Sequence, residues 1–314
     1  MDIKEKRQFL IRSLESEAFT TTAGLAQNVN PTLWENRLRE SQKEMLVLVP
    51  FAERQPFQNA QDLNVTIEEL APAIEEVAET ETSPVAEILT RQVTHNPTEY
   101  SLTYQLTKKQ SRRGFFNAIN VAVSRLSTGS ARRKDLVAAN TLYAGASTTI
   151  FANGASDRAS LTDSDEFKLK DILRARAVIQ ANRYVPTTLF VSHAAEAQLL
   201  DATKVTADKF GTTRAIQDGF IGRLHGVNVI RSDSVQIVED GAVSKNIMIG
   251  TTRNGESCFG HGILAEAELD REYHARDRYW DIVVQEDYDF LVYHPDAIVV
   301  IESHNSDYVV EMSS

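Results

Sequence analysis

The longest helical pattern in the chain is FFNAINVAVSRLSTGSARRKDLVAANTLY, residues 115–143. Its apolar residues recur mostly at spacings of three and four, which places them on one face of a helix; they are Phe115, Ile119, Ala122, Leu126, Leu136, Ala139 and Tyr143. A second helix starting at Ser130 would put the cations 132–134 in its first turn, where the helix dipole disfavours positive charge. We therefore predict one long helix over about residues 111–144, weakened or kinked at Gly129.

A long acidic excursion, residues 51–106, precedes this helix. Its central part contains eight carboxylates and no Lys or Arg: Asp62, Glu68, Glu69, Glu75, Glu76, Glu79, Glu81 and Glu87. Prolines at 56, 72, 84 and 97 exclude a long helix, while Val65–Ile67 and Tyr100–Tyr104 alternate like strands. A loop of this length needs an explanation. It is either a solvated acidic loop or a contact arm that lies on a more basic neighbouring surface.

The first 50 residues are simpler. Residues 1–30 are polar and sparsely patterned, which predicts an extended arm with a flexible joint at Thr20–Gly24. Pro31 opens a predicted helix. Met45–Val49 is expected to form a buried strand that Pro50 ends.

The second half of the chain mixes helices with strands. Asp165 and Glu166 are expected to start a helix, with an apolar stripe at Leu169, Ile172, Ala175 and Ile179 and a C-cap at Asn182. Ser192 is placed to cap a short helix. The predicted strands are Thr187–Val191, Val227–Ile230, Asn246–Gly250, Trp280–Gln285, Phe290–Tyr293 and Ala297–Ile301. The fold class is therefore α+β.

Composition limits the function. Hydrophobic residues make up 42% and charged residues 25% of the 314 residues, with a net charge of −11, which excludes a disordered or disulfide-scaffold protein. No apolar run approaches the roughly 20 residues that cross a bilayer, and the first residues lack a signal peptide, so we expect no membrane and a cytoplasmic origin. The acidic balance argues against a sequence-specific nucleic-acid reader but is compatible with a wall around nucleic acid.

Few residues suggest catalysis. The single cysteine, Cys258, cannot form an intrachain disulfide and is predicted to be a small buried hydrophobe rather than a nucleophile. Glu266, Glu268 and Asp270 would share one face of a strand, which could hold a divalent cation or be a solvated face balanced by nearby arginines. The solvated face is favoured, so we predict no catalytic residue, cofactor or metal.

Three basic clusters lie at Arg112–Arg113, Arg132–Lys134 and Arg271–Arg278. They could contact nucleic acid or receive the acidic arm of another subunit. Exposed ion pairs stabilise little individually, about 0–1 kcal/mol, but together they can set orientation. The candidate subunit-contact residues are Glu68, Glu69, Glu75, Glu76, Arg112, Arg113, Arg132 and Arg133.

Further segments follow in order: Asn182–Val191, Leu199–Leu200, Ile221–Val229 and the ending Tyr293–Val300. Together with the arm, the acidic loop and the long helix, this ordered set resembles the major capsid proteins of tailed phages, the Hong Kong 97 fold. The resemblance implies an N-terminal arm (1–30), a peripheral domain with a spine helix (31–50 and 107–145), an E-loop (51–106), an axial domain (146–265) and shared returning strands (266–314).

The resemblance also implies a function. Such proteins assemble as hexamers and pentamers into an icosahedral shell around double-stranded DNA, so the chain would locate to the virion after assembly in the host cytoplasm. Some members crosslink a loop lysine to a neighbour's asparagine, but no lysine lies between Lys43 and Lys108. About 30 residues before the fold are too few for a built-in scaffolding region, so we expect a separate scaffolding protein, a portal and possible decoration proteins.

Two alternatives stay open. An encapsulin-type compartment shares the fold and encloses a protein cargo instead of a genome. A soluble metal-dependent enzyme would use Glu266, Glu268 and Asp270.

Overall fold

A computed structural model describes residues 38–42, 45–57, 64–68, 90–109, 118–201, 220–238 and 242–305. Contacts divide the chain into two compact units. Unit 1 comprises Met1–Glu44, Ser101–Thr128 and Ala267–Gln285, and unit 2 comprises Met45–Tyr100, Gly129–Glu266 and Glu286–Ser314. The predicted arm, 1–30, lies outside the described residues.

The main helices are α1 (Ala118–Gly145), α2 (Leu169–Ala181) and α3 (His193–Asp201). The strands are β1 (Glu53–Pro56), β2 (Asn64–Glu68), β3 (Thr90–Thr94), β4 (Thr98–Thr107), β5 (Thr148–Phe151), β6 (Val185–Val191), β7 (Phe220–Leu224), β8 (Val227–Arg231), β9 (Ile237–Val238), β10 (Val243–Thr251), β11 (Phe259–His274), β12 (Tyr279–Val292) and β13 (Ile298–His304). Residues 38–42 are also helical. This mixture agrees with the predicted α+β class.

Unit 2 is built on a seven-stranded sheet with the order β5-β13-β10-β6-β8-β7, and β9 pairs with β10. The central strand β10 runs antiparallel to both β13 and β6. The sheet is mixed, since β5 is parallel to β13 and β8 is parallel to β6.

Both faces of this sheet are buried. Leu189 and Val191 of β6 pack with Ile172 and Ile179 of α2 in one apolar cluster. Phe190, which alternation points to the opposite face, packs in a second cluster that includes Ala138, Ala139 and Leu142 of α1. Burial on both faces explains the short continuous apolar runs Leu189–Val191 in β6, Ile247–Ile249 in β10 and Ile298–Ile301 in β13.

The long helix is confirmed from Ala118 onward, and the predicted residues before it lie outside the described part of the chain. Within the described residues, α1 continues without interruption through Gly129. Three residues of the predicted stripe, Ala122, Leu126 and Ala139, are each at most 1% exposed. Leu136 and Tyr143 are only partly buried, and the fully buried positions in this half of the helix are Ala138, Ala139 and Leu142.

The predicted buried strand at Met45–Val49 is wrong. Val49–Phe51 is a short 3₁₀ turn, and the backbone N–H groups of Val47, Leu48 and Val49 all donate to the Asp135 carboxylate of α1, at 2.8, 3.0 and 3.2 Å. Successive N–H groups in a strand point in opposite directions, so a segment with three consecutive donors on one carboxylate cannot be extended.

Two other boundaries differ from the prediction. Helix α2 begins at Leu169, because Asp165 instead accepts hydrogen bonds from the Thr162 N–H and the Asn153 side chain. The two late strands predicted at 280–285 and 290–293 are one strand, β12. The cap predictions hold: Asn182 is the C-cap of α2, and the Ser192 hydroxyl accepts the Ala195 N–H at 3.1 Å.

Unit 1 has its own small core. Leu38 packs with Ala122 and Leu126 of α1 and with Ile282 and Val284 of β12. The helical segment 38–42 is held by the Ser127 hydroxyl, which donates to the Leu38 carbonyl at 3.2 Å.

A second, four-stranded sheet has the order β1-β11-β12-β4, and a short turn at residues 275–278 joins β11 to β12.

The Asp135 contact generates a stability prediction. Replacing Asp135 with Ala should lower the free energy of unfolding by about 2–3 kcal/mol, since three N–H groups would lose their acceptor, two of them in partly buried positions. Asp135→Asn should recover only part of this loss, because an amide presents one acceptor oxygen and one competing donor. Urea unfolding of the unassembled chain measures both, with Ser124→Ala, at an exposed position of the same helix, as the control. Equal stability of wild type and Asp135→Ala would contradict the role of this carboxylate.

Candidate assembly surfaces

Two of the eight predicted contact residues have described side chains. Arg132 and Arg133 are exposed on α1, and the Arg133 guanidinium lies 5.5 Å from the centre of the Tyr100 ring. Tyr100 in turn stacks on Tyr288 with ring centres 4.5 Å apart. The Arg133 side chain is thereby held on an aromatic platform while its charge stays accessible to a partner.

The other six predicted residues are not placed. Glu68 is the last residue of β2, but its side chain is outside the described part of the chain. The remaining five, Glu69, Glu75, Glu76, Arg112 and Arg113, also lie outside it. Their contacts remain predictions.

The exposed face of α1 has a clear charge bias. The only acidic residue of α1 is Asp135, which is 4% exposed and engaged with the backbone of residues 47–49. Burial raises the pKa of Asp135, and the three backbone donors oppose that rise. The exposed cations Arg132 and Arg133 therefore have no acidic neighbour along their own helix, within a chain whose net charge is −11.

Lys134 does not share the exposed surface of Arg132 and Arg133, although the three residues form one basic cluster in the sequence. Its ammonium lies 2.6 Å from the Glu286 carboxylate, with the two side chains 12% and 2% exposed. The Ser130 hydroxyl donates to the same carboxylate at 2.5 Å. A buried pair of this kind is costly to break because the remaining charge would be left without compensation.

A second buried polar group fixes the connection between β3 and β4. His95 is fully buried; its Nδ1 lies 2.5 Å from Asp289 Oδ1 and its Nε2 lies 2.9 Å from the Tyr293 hydroxyl. The Asn96 N–H donates to the other Asp289 oxygen at 2.7 Å. Gly262 is required beside them, since a Cβ there would lie 2.5 Å from both His95 and Asp289. These hydrogen bonds therefore tie the connection between β3 and β4 to Asp289 and Tyr293.

Sequence analysis missed this group. His95 and Asp289 are 194 residues apart in the chain, and neither lies in a recognisable motif. Of these residues, Tyr293 alone lies in a segment that the sequence analysis singled out, as the first residue of Tyr293–Val300.

The carboxylates on β11 form a solvated face, as favoured from the sequence. Glu266, Glu268 and Asp270 are exposed and alternate with the buried Ala267. Glu266 pairs with Arg54 of β1. Among the described residues, no group of three or more His, Cys, Asp or Glu side chains is arranged to hold a metal ion.

The third basic cluster is organised by aromatic rings. The Arg271 guanidinium lies 5.1 Å from the centre of the Trp280 ring, and Tyr273 lies against the same ring at 4.6 Å. His274 is 3.0 Å from Asp281. This part of β11 and β12 is a mixed aromatic and ionic surface rather than a purely basic one.

Cys258 is fully buried, as predicted, and burial raises the pKa of its thiol to about 12. A thiol in this setting is unreactive at neutral pH. No helix in the described ranges is both long and apolar enough to cross a membrane.

The family model described as phage capsid protein matches residues 91–301. The chain belongs to the phage capsid protein family. The matched range runs from β3 into β13 and so includes the His95 group, all of α1 and most of the seven-stranded sheet. Family membership places this capsid protein among the structural shell proteins of the virion. No curated protein sequence matches it.

Solved structures share the fold at low sequence identity. The capsid of the cyanophage P-SCSP1u matches with 13% identity over 80% of this chain and 86% of that chain, with a TM-score of 0.62. A Mycobacterium phage Che8 chain matches with 18% identity over 82% and 90%, with a TM-score of 0.60. The SrpI encapsulin of Synechococcus elongatus matches with 12% identity over 85% and 89%, with a TM-score of 0.56. The predicted Hong Kong 97-like capsid fold is confirmed.

One buried histidine is expected to make the folding stability of this capsid protein sensitive to acid. His261 is 7% exposed and stacks on Phe290 at 4.5 Å, and its Nε2 has no hydrogen-bond partner within the described chain. Burial, with the charges of Lys134 and Arg54, lowers the pKa of His261 from 6.5 to about 3. Below pH 6.5 the unfolded chain therefore binds a proton that the folded chain excludes, so folding stability is lost as the pH falls toward 3.

His261→Phe should remove this part of the acid sensitivity, because a phenyl ring can keep the stack and binds no proton. Urea unfolding as a function of pH is the measurement, with the exposed His193→Gln as the control. The wild-type and His193→Gln curves should fall more steeply with decreasing pH than the His261→Phe curve. Parallel curves for all three would refute the assignment.

Proposed function

We propose that this capsid protein assembles as hexamers and pentamers into an icosahedral shell that encloses double-stranded DNA without reading its sequence. The observation that carries the proposal is the family match over residues 91–301, supported by the fold shared with phage capsid structures. The mildly acidic chain suits a container wall, since it would not adhere strongly to phosphates.

The domain roles follow from the same reasoning. Residues 146–265, which include β6 to β10, are proposed to be the axial domain that meets the local symmetry axis. Residues 31–50 and 107–145 would form the peripheral domain with α1 as its spine helix. The arm (1–30) and the E-loop (51–106) would overlap neighbouring copies, and residues 266–314 would return through both domains.

In the host cytoplasm, we expect further proteins to take part in assembly. We propose a separate scaffolding protein and a portal, with decoration proteins as a possible addition on the finished shell. These partners are implied by the family resemblance, and no described residue is assigned to them.

The acidic segment of the E-loop is proposed to contact cations of a neighbouring copy. Arg132 and Arg133 support this idea, because they are exposed on a helix face without acidic residues. Extended parts that reach another copy make heterologous contacts, which close into rings when the rotation allows.

Charge reversal tests this arrangement. The wild-type chain should form closed shells, or hexamers and pentamers, visible by electron microscopy and sedimentation. The double variant Glu75→Lys with Glu76→Lys should remain folded by circular dichroism but form at least tenfold fewer shells, since the added cations would repel the arginines. Asp270→Lys with Glu272→Lys, on the exposed face of β11, is the matched control and should assemble normally. Normal shells from the Glu75/Glu76 variant would contradict the contact-arm role.

An encapsulin-type compartment is the second candidate, because the SrpI encapsulin shares the fold with a TM-score of 0.56. The contents of shells isolated from the native source distinguish the two. Nuclease-protected double-stranded DNA supports the viral shell, whereas a co-purifying enzyme inside DNA-free shells supports the compartment.

A further inference from the structure

The chain contains two Asn-Gly pairs, Asn153–Gly154 and Asn254–Gly255. An asparagine that precedes glycine deamidates more readily than other asparagines, because glycine has no side chain to hinder attack of its backbone nitrogen on the asparagine side chain. Both asparagines are exposed. Exposure therefore does not distinguish the two pairs, and a difference in reactivity must come from the contacts that each asparagine makes.

The turn between β10 and β11 leaves Asn254 without restraint. The Gly255 N–H donates to the Thr252 carbonyl at 3.0 Å, and the other hydrogen bonds of the turn join Thr252 to Glu256. The Asn254 side chain makes no hydrogen bond within the described residues, and the space beside the Gly255 Cα is open. Because one exposed backbone hydrogen bond covers the Gly255 nitrogen, a local opening of the turn is enough to free it.

Asn153, in contrast, is held by two buried carboxylates. Its backbone N–H donates to Asp171 Oδ1 at 3.1 Å, and its side-chain nitrogen donates to Asp165 Oδ1 at 3.1 Å. Asp171 is 1% and Asp165 7% exposed. Attack by the Gly154 nitrogen would require the Asn153 side chain to leave Asp165, and a buried carboxylate would then lose a hydrogen bond. The local structure therefore protects this asparagine.

We propose that Asn254 is a site of spontaneous deamidation in the folded capsid protein, whereas Asn153 is protected. The Gly255 nitrogen gives its proton to hydroxide and bonds to Cγ of Asn254. The bond from Cγ to Nδ2 breaks, and the leaving nitrogen takes a proton from water and departs as ammonia. Water then adds to one of the two carbonyl carbons of the resulting succinimide and breaks its bond to the ring nitrogen, which leaves aspartate or isoaspartate at residue 254.

The reaction would change both the charge and the geometry of the turn. The new carboxylate would lie in the same turn as Glu256, in a chain that already has a net charge of −11. Isoaspartate would also lengthen the backbone by one methylene group between Thr251 and Ser257, which face each other across the turn. The Ser257 hydroxyl donates to the Phe51 carbonyl at 2.6 Å, so the altered turn lies next to a contact with the segment before β1.

Peptide mapping by mass spectrometry tests the proposal on the purified, folded, full-length chain during incubation in mildly alkaline buffer. Aspartate and isoaspartate should accumulate at residue 254 at least tenfold faster than at residue 153. The rate should rise with pH, because the attacking nitrogen must lose its proton. The urea-unfolded chain is the control, and both asparagines should react there at comparable rates. Asn254→Gln should remove the fast reaction, since the longer side chain closes a less favoured ring.

Asp165→Ala tests the cause of the protection. It should speed deamidation at residue 153 at least fivefold and leave the rate at residue 254 unchanged, with circular dichroism to verify the fold. Lys170→Ala, at an exposed position of α2, is the matched control and should change neither rate. A protected Asn153 in folded Asp165→Ala would overturn the role of Asp165.

The wild-type comparison decides the proposal even where Asp165→Ala does not fold. Equal rates at the two asparagines of the folded chain, or a faster reaction at residue 153, would overturn it. An unreactive Asn254 in the folded chain, over a time in which the unfolded chain reacts, would overturn it as well.

Discussion

The structure depends on the seven-stranded sheet, in which both faces are buried. Strands β6, β10 and β13 are buried on both sides, so the chain must supply helices to cover each side. The second half of α1 covers one face, and α2 and α3 cover the other. Apolar burial contributes roughly 25 cal/mol per Å², so the buried side chains on both faces of this sheet stabilise unit 2.

Buried polar groups hold two further segments of unit 2. Asp135 holds the backbone of residues 47–49, and the His95 group holds the connection between β3 and β4. Both use hydrogen bonds between residues far apart in the sequence, in places where an unsatisfied group would be costly.

Periodic patterns in the sequence predicted much of the fold. The spacing of apolar residues gave α1 as one helix, and the stripe from Ile172 to Ile179 gave α2. Alternating or continuous apolar runs gave most strands of the large sheet. The resemblance to phage capsid proteins rested on the order of these elements, and the family match and shared fold confirm it.

The errors occurred where one distant side chain overrides local preference. The apolar run at 45–49 is a good strand sequence, yet the Asp135 carboxylate draws three successive N–H groups to one side. Lys134 looked like part of a basic patch, but Glu286 of β12 neutralises it in a buried pair. Neither partner is detectable from local spacing, since it lies 86 or more residues away in the chain. The contact residues of the acidic loop stay predictions for a different reason: their partners would belong to other copies.

Native mass spectrometry of the purified 35.0 kDa chain tests the central claim most directly. The claim is that one chain forms closed rings through contacts between unlike surfaces. The predicted spectrum contains masses of five and six copies, alone or within larger closed shells. A spectrum limited to monomers and twofold dimers across the concentration range, with or without added polyanion, would contradict it.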